Sequence, residues 1–286
     1  MSESEANHRP LTPNQAHSCA NCGHPAPAAY CPQCGEQQPG HHDLSLKHFF
    51  HEAFHELLHL DSRLFRTLKH LLFTPGLLTV EYFAGCKARY FRPLRLYLVA
   101  FALSFFLYSL YKPVTLYDFD RAIKADTTGV LEKRMEKKAE RLHTTPAELS
   151  DRVSQKWAGT VSLLQLVYIF LLAGVLKLVY LPKHKFYVEH LVFCLHYYAF
   201  NFLVSSLLWP VYRWIGVMDP FGRTGWLAIA GLVLNTAYLY FALKRVYQDT
   251  TGVTAYRAIM VWLGGQICFV FVVVVSLFWA IAKILR

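Results

Sequence analysis

Five long apolar stretches constrain the fold of this chain more than any other feature of its sequence. They cover residues 93–111, 158–181, 187–212, 225–243 and 258–284. As an α-helix, the shortest would be about 28 Å long, close to the roughly 30 Å thickness of the hydrocarbon core of a bilayer. The composition, with 54% hydrophobic and 17% charged residues, excludes an ordinary water-soluble domain. The sequence therefore predicts an all-α integral membrane bundle of about five transmembrane helices.

The positive charges indicate how this bundle is oriented. The formal net charge is +10, and Lys and Arg concentrate before the first stretch and around the connections after the second and fourth. These cations are Lys87, Arg89, Arg92, Arg95, Lys177, Lys183, Lys185, Lys244, Arg245 and Arg257. The tryptophans on the opposite side are Trp157, Trp209, Trp214, Trp226 and Trp279. Because cytoplasmic loops are rich in Lys and Arg, we predict a multi-pass protein of the cell inner (cytoplasmic) membrane with a cytoplasmic N-terminus and an extracytoplasmic C-terminus.

Two CxxC pairs lie near the N-terminus, Cys19-x-x-Cys22 and Cys31-x-x-Cys34, and a glycine follows each pair. Four thiolates at this spacing can close a tetrahedral metal site, so residues 19–38 are predicted to form a small structural zinc ribbon. Zinc is favoured because a d10 ion accepts tetrahedral sulfur ligation without redox chemistry. Two disulfides are the alternative, which a reducing cytoplasm disfavours. Residues 1–18 are polar, lack the apolar core of a signal peptide and are predicted to be a disordered tail.

A helical pattern covers residues 44–73, where apolar side chains recur at three- and four-residue steps. We predict an amphipathic helix in the cytoplasmic membrane surface, followed by a basic connector at 74–92. Within it, His51-Glu52-x-x-His55, extended by His59, matches the HExxH pattern of zinc proteases. Most of the fourteen histidines lie in the same N-terminal region, so such a match arises easily by chance. A polar stripe that faces lipid headgroups is therefore favoured over a catalytic site.

The segment 112–157, between the first two apolar stretches, is predicted to be an extracytoplasmic helical loop. It mixes Lys and Arg with Glu, as solvated helices do. Near its end, Thr145, Pro146 and Glu148 supply an N-cap, a first-turn proline and a capping-box glutamate. A helix that begins there should continue directly into the second transmembrane span.

The third apolar stretch is unusual because it contains ionisable side chains. Glu189, His190, Cys194, His196 and Asn201 all lie in this one predicted transmembrane helix. Polar groups in hydrocarbon are costly unless they face partners, so this polar face should point into the bundle. The side chains could form interhelical hydrogen bonds, or they could form a buried site for a metal ion, a proton or a lipid headgroup. The expected partners are cytoplasmic-end groups such as Lys177, Lys244, Arg245 and the histidines of residues 51–59.

Several of these motifs together resemble a known family. They are CxxCG with YCPxCG, Thr67-Leu68-x-x-Leu71-Leu72-x-x-Pro75-Gly76, Tyr82-x-x-Gly85-x-Lys87-x-x-Tyr90-x-x-Pro93, and Tyr187-x-Glu189-His190-Leu191-Val192-Phe193-x-x-His196. The chain from Cys19 onward is similar to a bacterial family of multi-pass membrane proteins known only as a domain of unknown function. The resemblance implies an inner-membrane protein with a cytoplasmic zinc ribbon, and it implies no activity.

Two hypotheses for the function follow from these features. In the first, the protein is a non-enzymatic membrane-anchored module whose ribbon and surface helix bind a cytoplasmic protein or anionic lipids. In the second, it is a metal-dependent membrane enzyme or transporter. The candidate site residues of that second hypothesis are His51, His55, His59, Glu189, His190 and His196. Direct nucleic-acid binding is disfavoured, since no Lys or Arg lies between Cys19 and Cys34.

Overall fold

A computed structural model describes residues 17–19, 21–26, 31–34, 63–111, 126–215 and 223–285, and these residues are mostly helical. The helices are α1 (Arg63–Phe73), α2 (Leu77–Phe83), α3 (Pro93–Tyr111), α4 (Val130–Arg141), α5 (Pro146–Val179), α6 (Tyr187–Ile215), α7 (Arg223–Tyr247) and α8 (Thr251–Leu285). Short 3-10 helices cover Lys87–Arg89 and Leu181–Lys183. Near the N-terminus, β1 (His17–Ser18) pairs antiparallel with β2 (Pro25–Ala26).

Three helical segments of the described chain are long and apolar enough to cross a membrane: Lys87–Leu107, Tyr187–Leu208 and Thr251–Ala280. A fourth is present if the two halves of α5, bent by 41°, count as one span. These segments indicate a membrane protein, as the composition predicts. Helix α7 contains the predicted fourth stretch, 225–243, and the five-span topology and its orientation remain predictions.

Helix α6 is the centre of the bundle. Val192, Cys194 and Ala199 have no exposed surface, and Leu191 and Phe193 are at most 2% exposed. Helices α2, α3, α5 and α7 all pack against α6. The part of α6 around these residues is enclosed by other helices, which agrees with its largely apolar composition.

The start of α5 agrees in part with the capping motif in the sequence. Thr145 is the N-cap, and its hydroxyl accepts a hydrogen bond from the Glu148 backbone N–H at 3.2 Å. The Glu148 carboxylate does not complete a capping box, because it accepts hydrogen bonds from the Thr144 hydroxyl and from Arg152 instead. As predicted, α5 then continues to Val179, although its two halves are bent by 41° relative to each other.

The predicted amphipathic helix is described only from Arg63 onward, as α1, and residues 44–62 lie outside the described residues. Thr67 and Leu71 of α1 are buried in the bundle, while Phe65 is 80% exposed. The Thr67 hydroxyl accepts a hydrogen bond from the Phe91 N–H at 3.0 Å. The Tyr238 hydroxyl of α7 donates to the Leu71 carbonyl at 2.8 Å. The described part of this helix therefore packs against the helices of the bundle, through hydrogen bonds as well as apolar contact.

The turn between α1 and α2 lies against α7. Gly76 has φ +78°, and a Cβ at this position would lie 2.8 Å from the Ala242 carbonyl oxygen. Arg245 of α7 donates a hydrogen bond to the Pro75 carbonyl at 2.9 Å. The Pro-Gly pair thus ends one helix, as the sequence predicts, and also allows two backbones to approach closely.

Candidate metal centre and buried polar side chains

The two CxxC pairs come together in one cluster. The Cys19 and Cys34 sulfur atoms are 3.6 Å apart, as are those of Cys22 and Cys31, and all four lie within 4.8 Å of one another. A tetrahedral ion with metal–sulfur bonds of about 2.3 Å would place its sulfur ligands about 3.8 Å apart. None of the four cysteines is in a disulfide bond. Their arrangement fits a metal ion, and the ligand set predicted from the sequence is the one that the structure brings together.

The local backbone explains how the first CxxC pair presents its thiols. The Gly23 N–H donates to the Cys19 carbonyl at 2.8 Å, and the Cys19 N–H donates to the His24 carbonyl at 2.8 Å. This turn requires φ +76° at Gly23, a conformation in which glycine carries no Cβ penalty. With four protein ligands, such a site has no open coordination position for a substrate or a water molecule.

His196 lies in the bundle interior and is 5% exposed. Its Nδ1 is 2.9 Å from the hydroxyl oxygen of Thr79, which belongs to α2 and is also buried. The sequence correctly predicts that His196 faces protein. Its partner in the structure is a neutral hydroxyl from the segment before the first span, in place of the expected Lys177, Lys244 or Arg245; the expected histidines of residues 51–59 lie outside the described residues.

His190 lies about one and two-thirds helical turns earlier and has a different environment. Its Nδ1 is 2.6 Å from the Tyr247 hydroxyl at the end of α7. The Tyr247 ring stacks on Tyr180, with 3.7 Å between the ring centroids. Nε2 of His190 is buried and makes no hydrogen bond with the described residues. This histidine is therefore part of an aromatic stack that joins α5, α6 and α7.

Glu189 has a local role at the start of α6. Its carboxylate accepts a hydrogen bond from the Phe186 N–H at 3.1 Å and pairs with Lys185 at 2.6 Å. It thus satisfies a backbone donor at the helix N-terminus, where a negative charge is also favourable. Glu189, His190 and His196 have three separate sets of partners. Among the described residues, the group of Cys, His, Asp or Glu with metal-site geometry is the cysteine cluster, and His51, His55 and His59 lie outside those residues.

Asp249, which no sequence motif singles out, pairs with two cations between α7 and α8. Its carboxylate lies 2.8 Å from Lys183 and 2.6 Å from Arg257, and its side chain is 8% exposed. Burial alone would raise the pKa of Asp249, but the hydrogen bonds from Lys183 and Arg257 outweigh it and hold that pKa below its usual range. Arg257 also lies over the Tyr180 ring, 4.7 Å from its centroid. The sequence does contain an indication of this ion-pair site, because Asp249 is the one acid in the Lys- and Arg-rich stretch from Lys244 to Arg257.

Helices α1 and α2, which contact α6 and α7, lie in one short segment of the chain. Residues 61–105 match the model of a family described as "Protein of unknown function (DUF3667)". This match agrees with the resemblance to a family of unknown function, and the motif residues in α6 lie outside it. We call residues 61–105 the DUF3667 segment. No curated protein and no solved structure matches the chain.

The contact between His196 and Thr79 attaches the DUF3667 segment to the central helix, so we expect His196→Ala to destabilise the protein. Hydrogen bonds between membrane helices contribute about 0.6 kcal/mol on average and up to about 1.7 kcal/mol. Melting temperatures of the parent, His196→Ala, Thr79→Val and the double variant would give the coupling free energy between the two side chains. If the effects of the two single variants simply add in the double variant, the coupling free energy is zero, and this result would contradict the hydrogen bond. A His196→Ala protein of parental stability that has lost its cellular phenotype would instead indicate a working site.

Proposed function

We propose that this protein is a non-enzymatic, membrane-anchored interaction module. Its N-terminal cysteine cluster holds a structural zinc ion. Together with the predicted amphipathic helix of residues 44–73, this cluster binds a cytoplasmic protein or anionic lipids at the membrane surface. The observation that carries the proposal is the closed set of four cysteine sulfurs within 4.8 Å, on the same chain as three membrane-spanning segments. A site that has no open ligand position stabilises a small domain and offers a surface to a partner.

The ligands favour zinc as the bound ion. Four thiolates select soft or borderline metals, and tetrahedral sulfur sites hold either zinc or iron. Zinc is preferred here because two short CxxC turns are the ligand pattern of zinc ribbons. Cys19 and Cys31 are each 2% exposed, and the sulfurs themselves make up the small core of this region. An ion that is bound by such a segment supplies most of its folding free energy.

The grouping of the cations supports a common cytoplasmic side. Lys183 comes from the connection between α5 and α6, and Arg257 from the first turns of α8, yet both bind Asp249. Arg245 joins the same end of α7 to the turn at Pro75. Three connections that the positive-inside rule assigns to the cytoplasm therefore meet at one end of the bundle.

The geometry favours this module over a metal-dependent enzyme or transporter. In the described part of the chain, His190 and His196 bind Tyr247 and Thr79 through Nδ1. Glu189 is engaged by Lys185 and by the backbone at Phe186. These three side chains have separate partners, and among the described residues they do not form a group with metal-site geometry.

Complementation of a strain that lacks the protein tests the proposed function. We expect Cys31→Ser to abolish rescue, because the module requires a folded ribbon, and Glu189→Gln to retain it, because an amide oxygen can still accept the hydrogen bond at the helix start. Both variants should reach the membrane in parental amounts, as judged by immunoblotting. The opposite pattern, in which Glu189→Gln fails and Cys31→Ser succeeds, would favour the enzyme or transporter.

Reporter fusions test the predicted orientation. A reporter that is active only outside the cytoplasm should function when it is fused after Arg286 or inserted near Thr128, and it should be inactive when it is fused at Ser2. A cytoplasmic reporter at the same positions serves as the control. Activity of the external reporter at Ser2 would place the cysteine cluster outside and would contradict the proposal.

A further inference from the structure

Helices α5, α6, α7 and α8 line a cavity of about 210 Å³ that neither the cysteine cluster nor the two histidines use. For comparison, an apolar cavity of about 150 Å³ binds benzene. The cavity is lined in part by Tyr168, Tyr198, Asn201, Asn235 and Gln266. None of the described residues that line it is charged. A ligand of this cavity must therefore be uncharged and must still form hydrogen bonds.

The cavity opens toward lipid. Two of its lining residues, Leu232 on α7 and Trp262 on α8, are 51% and 36% exposed. Trp262 lies within the candidate membrane-spanning segment Thr251–Ala280, so we expect its exposed surface to face lipid. Asn235 and Gln266 each lie about 12 Å along their helices from the predicted cytoplasmic ends of these spans. A ligand would enter from within the bilayer, at a depth that a charged phospholipid headgroup does not reach.

Two side chains of the cavity, Asn235 and Tyr168, have hydrogen-bonding capacity that the described residues do not use. Asn235 donates through Nδ2 to the Gly231 carbonyl at 2.9 Å, but its Oδ1 is buried and accepts no hydrogen bond from the described residues. Tyr198 donates to the Tyr168 hydroxyl at 2.5 Å, so the Tyr168 proton remains to be donated. An unpaired acceptor in hydrocarbon is costly. One hydroxyl group could supply both the donor that Asn235 requires and the acceptor that Tyr168 requires.

We propose that this cavity is a binding site for an uncharged, lipid-soluble alcohol, whose hydroxyl binds Asn235 and Tyr168 while its apolar part extends between α7 and α8 into the bilayer. The hydroxyl can come from an aliphatic alcohol or from a phenol, since both share the same donor and acceptor. Gly265 shapes the wall on the α8 side, because a Cβ there would lie 3.3 Å from the Tyr168 hydroxyl and from Leu172. This proposal is independent of the proposed function of the cysteine cluster.

Photolabelling of the full-length protein in phosphatidylcholine nanodiscs tests the proposal. The probe is hexadecanol with a diazirine on its chain, and the labelled residues are mapped by mass spectrometry. We expect labels on α7 and α8 near the cavity. Hexadecanol or a long-chain alkylphenol should compete at least about tenfold better than hexadecane or hexadecanoate, and the better of the two alcohols identifies the source of the hydroxyl. Equal competition by hexadecane would reduce the cavity to a nonspecific lipid groove, and equal competition by hexadecanoate would overturn the uncharged headgroup.

Variants of the two asparagines make the test specific. Asn235→Leu should reduce labelling about three- to tenfold, the range expected for a lost hydrogen bond within a membrane. The melting temperature should be unchanged or raised, because the variant removes a buried unpaired polar atom. Asn201→Leu on α6 is a second variant with the same direction of effect. Ser206→Ala is the matched control, since it also removes a hydrogen bond to a carbonyl one turn earlier in α6, but its side chain does not line the cavity. Parental labelling in Asn235→Leu would overturn the proposal.

Discussion

Replacement of Gly76 by alanine should destabilise the folded protein by about 3 kcal/mol. Two costs add at this position. A left-handed backbone costs a residue with a Cβ roughly 1 to 2 kcal/mol, and the backbone of Gly76 has φ +78°. The new methyl group would also lie 2.8 Å from the Ala242 carbonyl and 3.1 Å from its Cα. Overpacking against atoms that cannot rotate away typically costs about a further 1 to 3 kcal/mol. The melting temperature in detergent and the yield of monodisperse protein measure the effect.

Two other glycines separate these costs. Gly129 has φ +63°, and no atom lies within 4 Å of the position that a Cβ would take there, so Gly129→Ala measures the backbone cost alone. Gly174 lies inside α5 and also has free space around it, so Gly174→Ala should be neutral or slightly stabilising. We expect Gly76→Ala to be clearly worse than either control. An effect no larger than that of Gly129→Ala would mean that the turn of the DUF3667 segment does not contact α7.

Replacement of Cys31 by serine should release the proposed zinc ion while the membrane bundle stays folded. Serine supplies a hydroxyl in place of a thiolate, and a site with three remaining cysteines holds its metal much less tightly. We expect zinc in the purified variant to fall to a small fraction of the parental content and the melting transition of the bundle to be unchanged. Elemental analysis and a thermal melt on the same preparation measure both quantities.

The matched control for this prediction is Cys268→Ser, which changes a half-buried cysteine of α8 that is not part of the cluster. It should retain the full zinc content. A second variant, in which Cys19, Cys22, Cys31 and Cys34 are all replaced by serine, removes every predicted ligand. Full zinc in that quadruple variant would exclude this cluster as the metal site.

The features that the sequence predicts well are those set by local pattern. The spacing of Cys19, Cys22, Cys31 and Cys34 identifies a group whose sulfur atoms do converge. The rule that polar groups in a membrane helix face protein correctly predicts that His190 and His196 are buried. Both predictions depend on chemistry that is local to one segment, so a single sequence is enough to make them.

The partners of those histidines could not be predicted in the same way. Thr79 and His196 are 117 residues apart, and Tyr247 and His190 are 57 apart. A helical pattern shows which face of a helix is polar, but it does not show which faces of different helices meet. For the same reason, the packing of α1 could not be predicted. An apolar stripe that contains Leu71 has the same sequence pattern whether the helix lies on lipid or packs against α7.

The sequence position of Glu189 also predicts a local role at the start of α6. An acid three residues after the residue that precedes a helix commonly accepts a hydrogen bond from the backbone N–H of that preceding residue, and Glu189 does so at Phe186. Its position in an apolar stretch instead suggests a site in the bundle interior. The capping pattern explains this residue more simply than burial does.

The metal content of the parental protein tests the central claim most directly. After purification in mild detergent without added metal, elemental analysis should show one zinc per chain. That zinc should be lost from the quadruple cysteine variant and retained when His190 is replaced by phenylalanine. Two or more metal ions per chain, or a metal ion that disappears with His190, would contradict the account and support a metal-dependent membrane site.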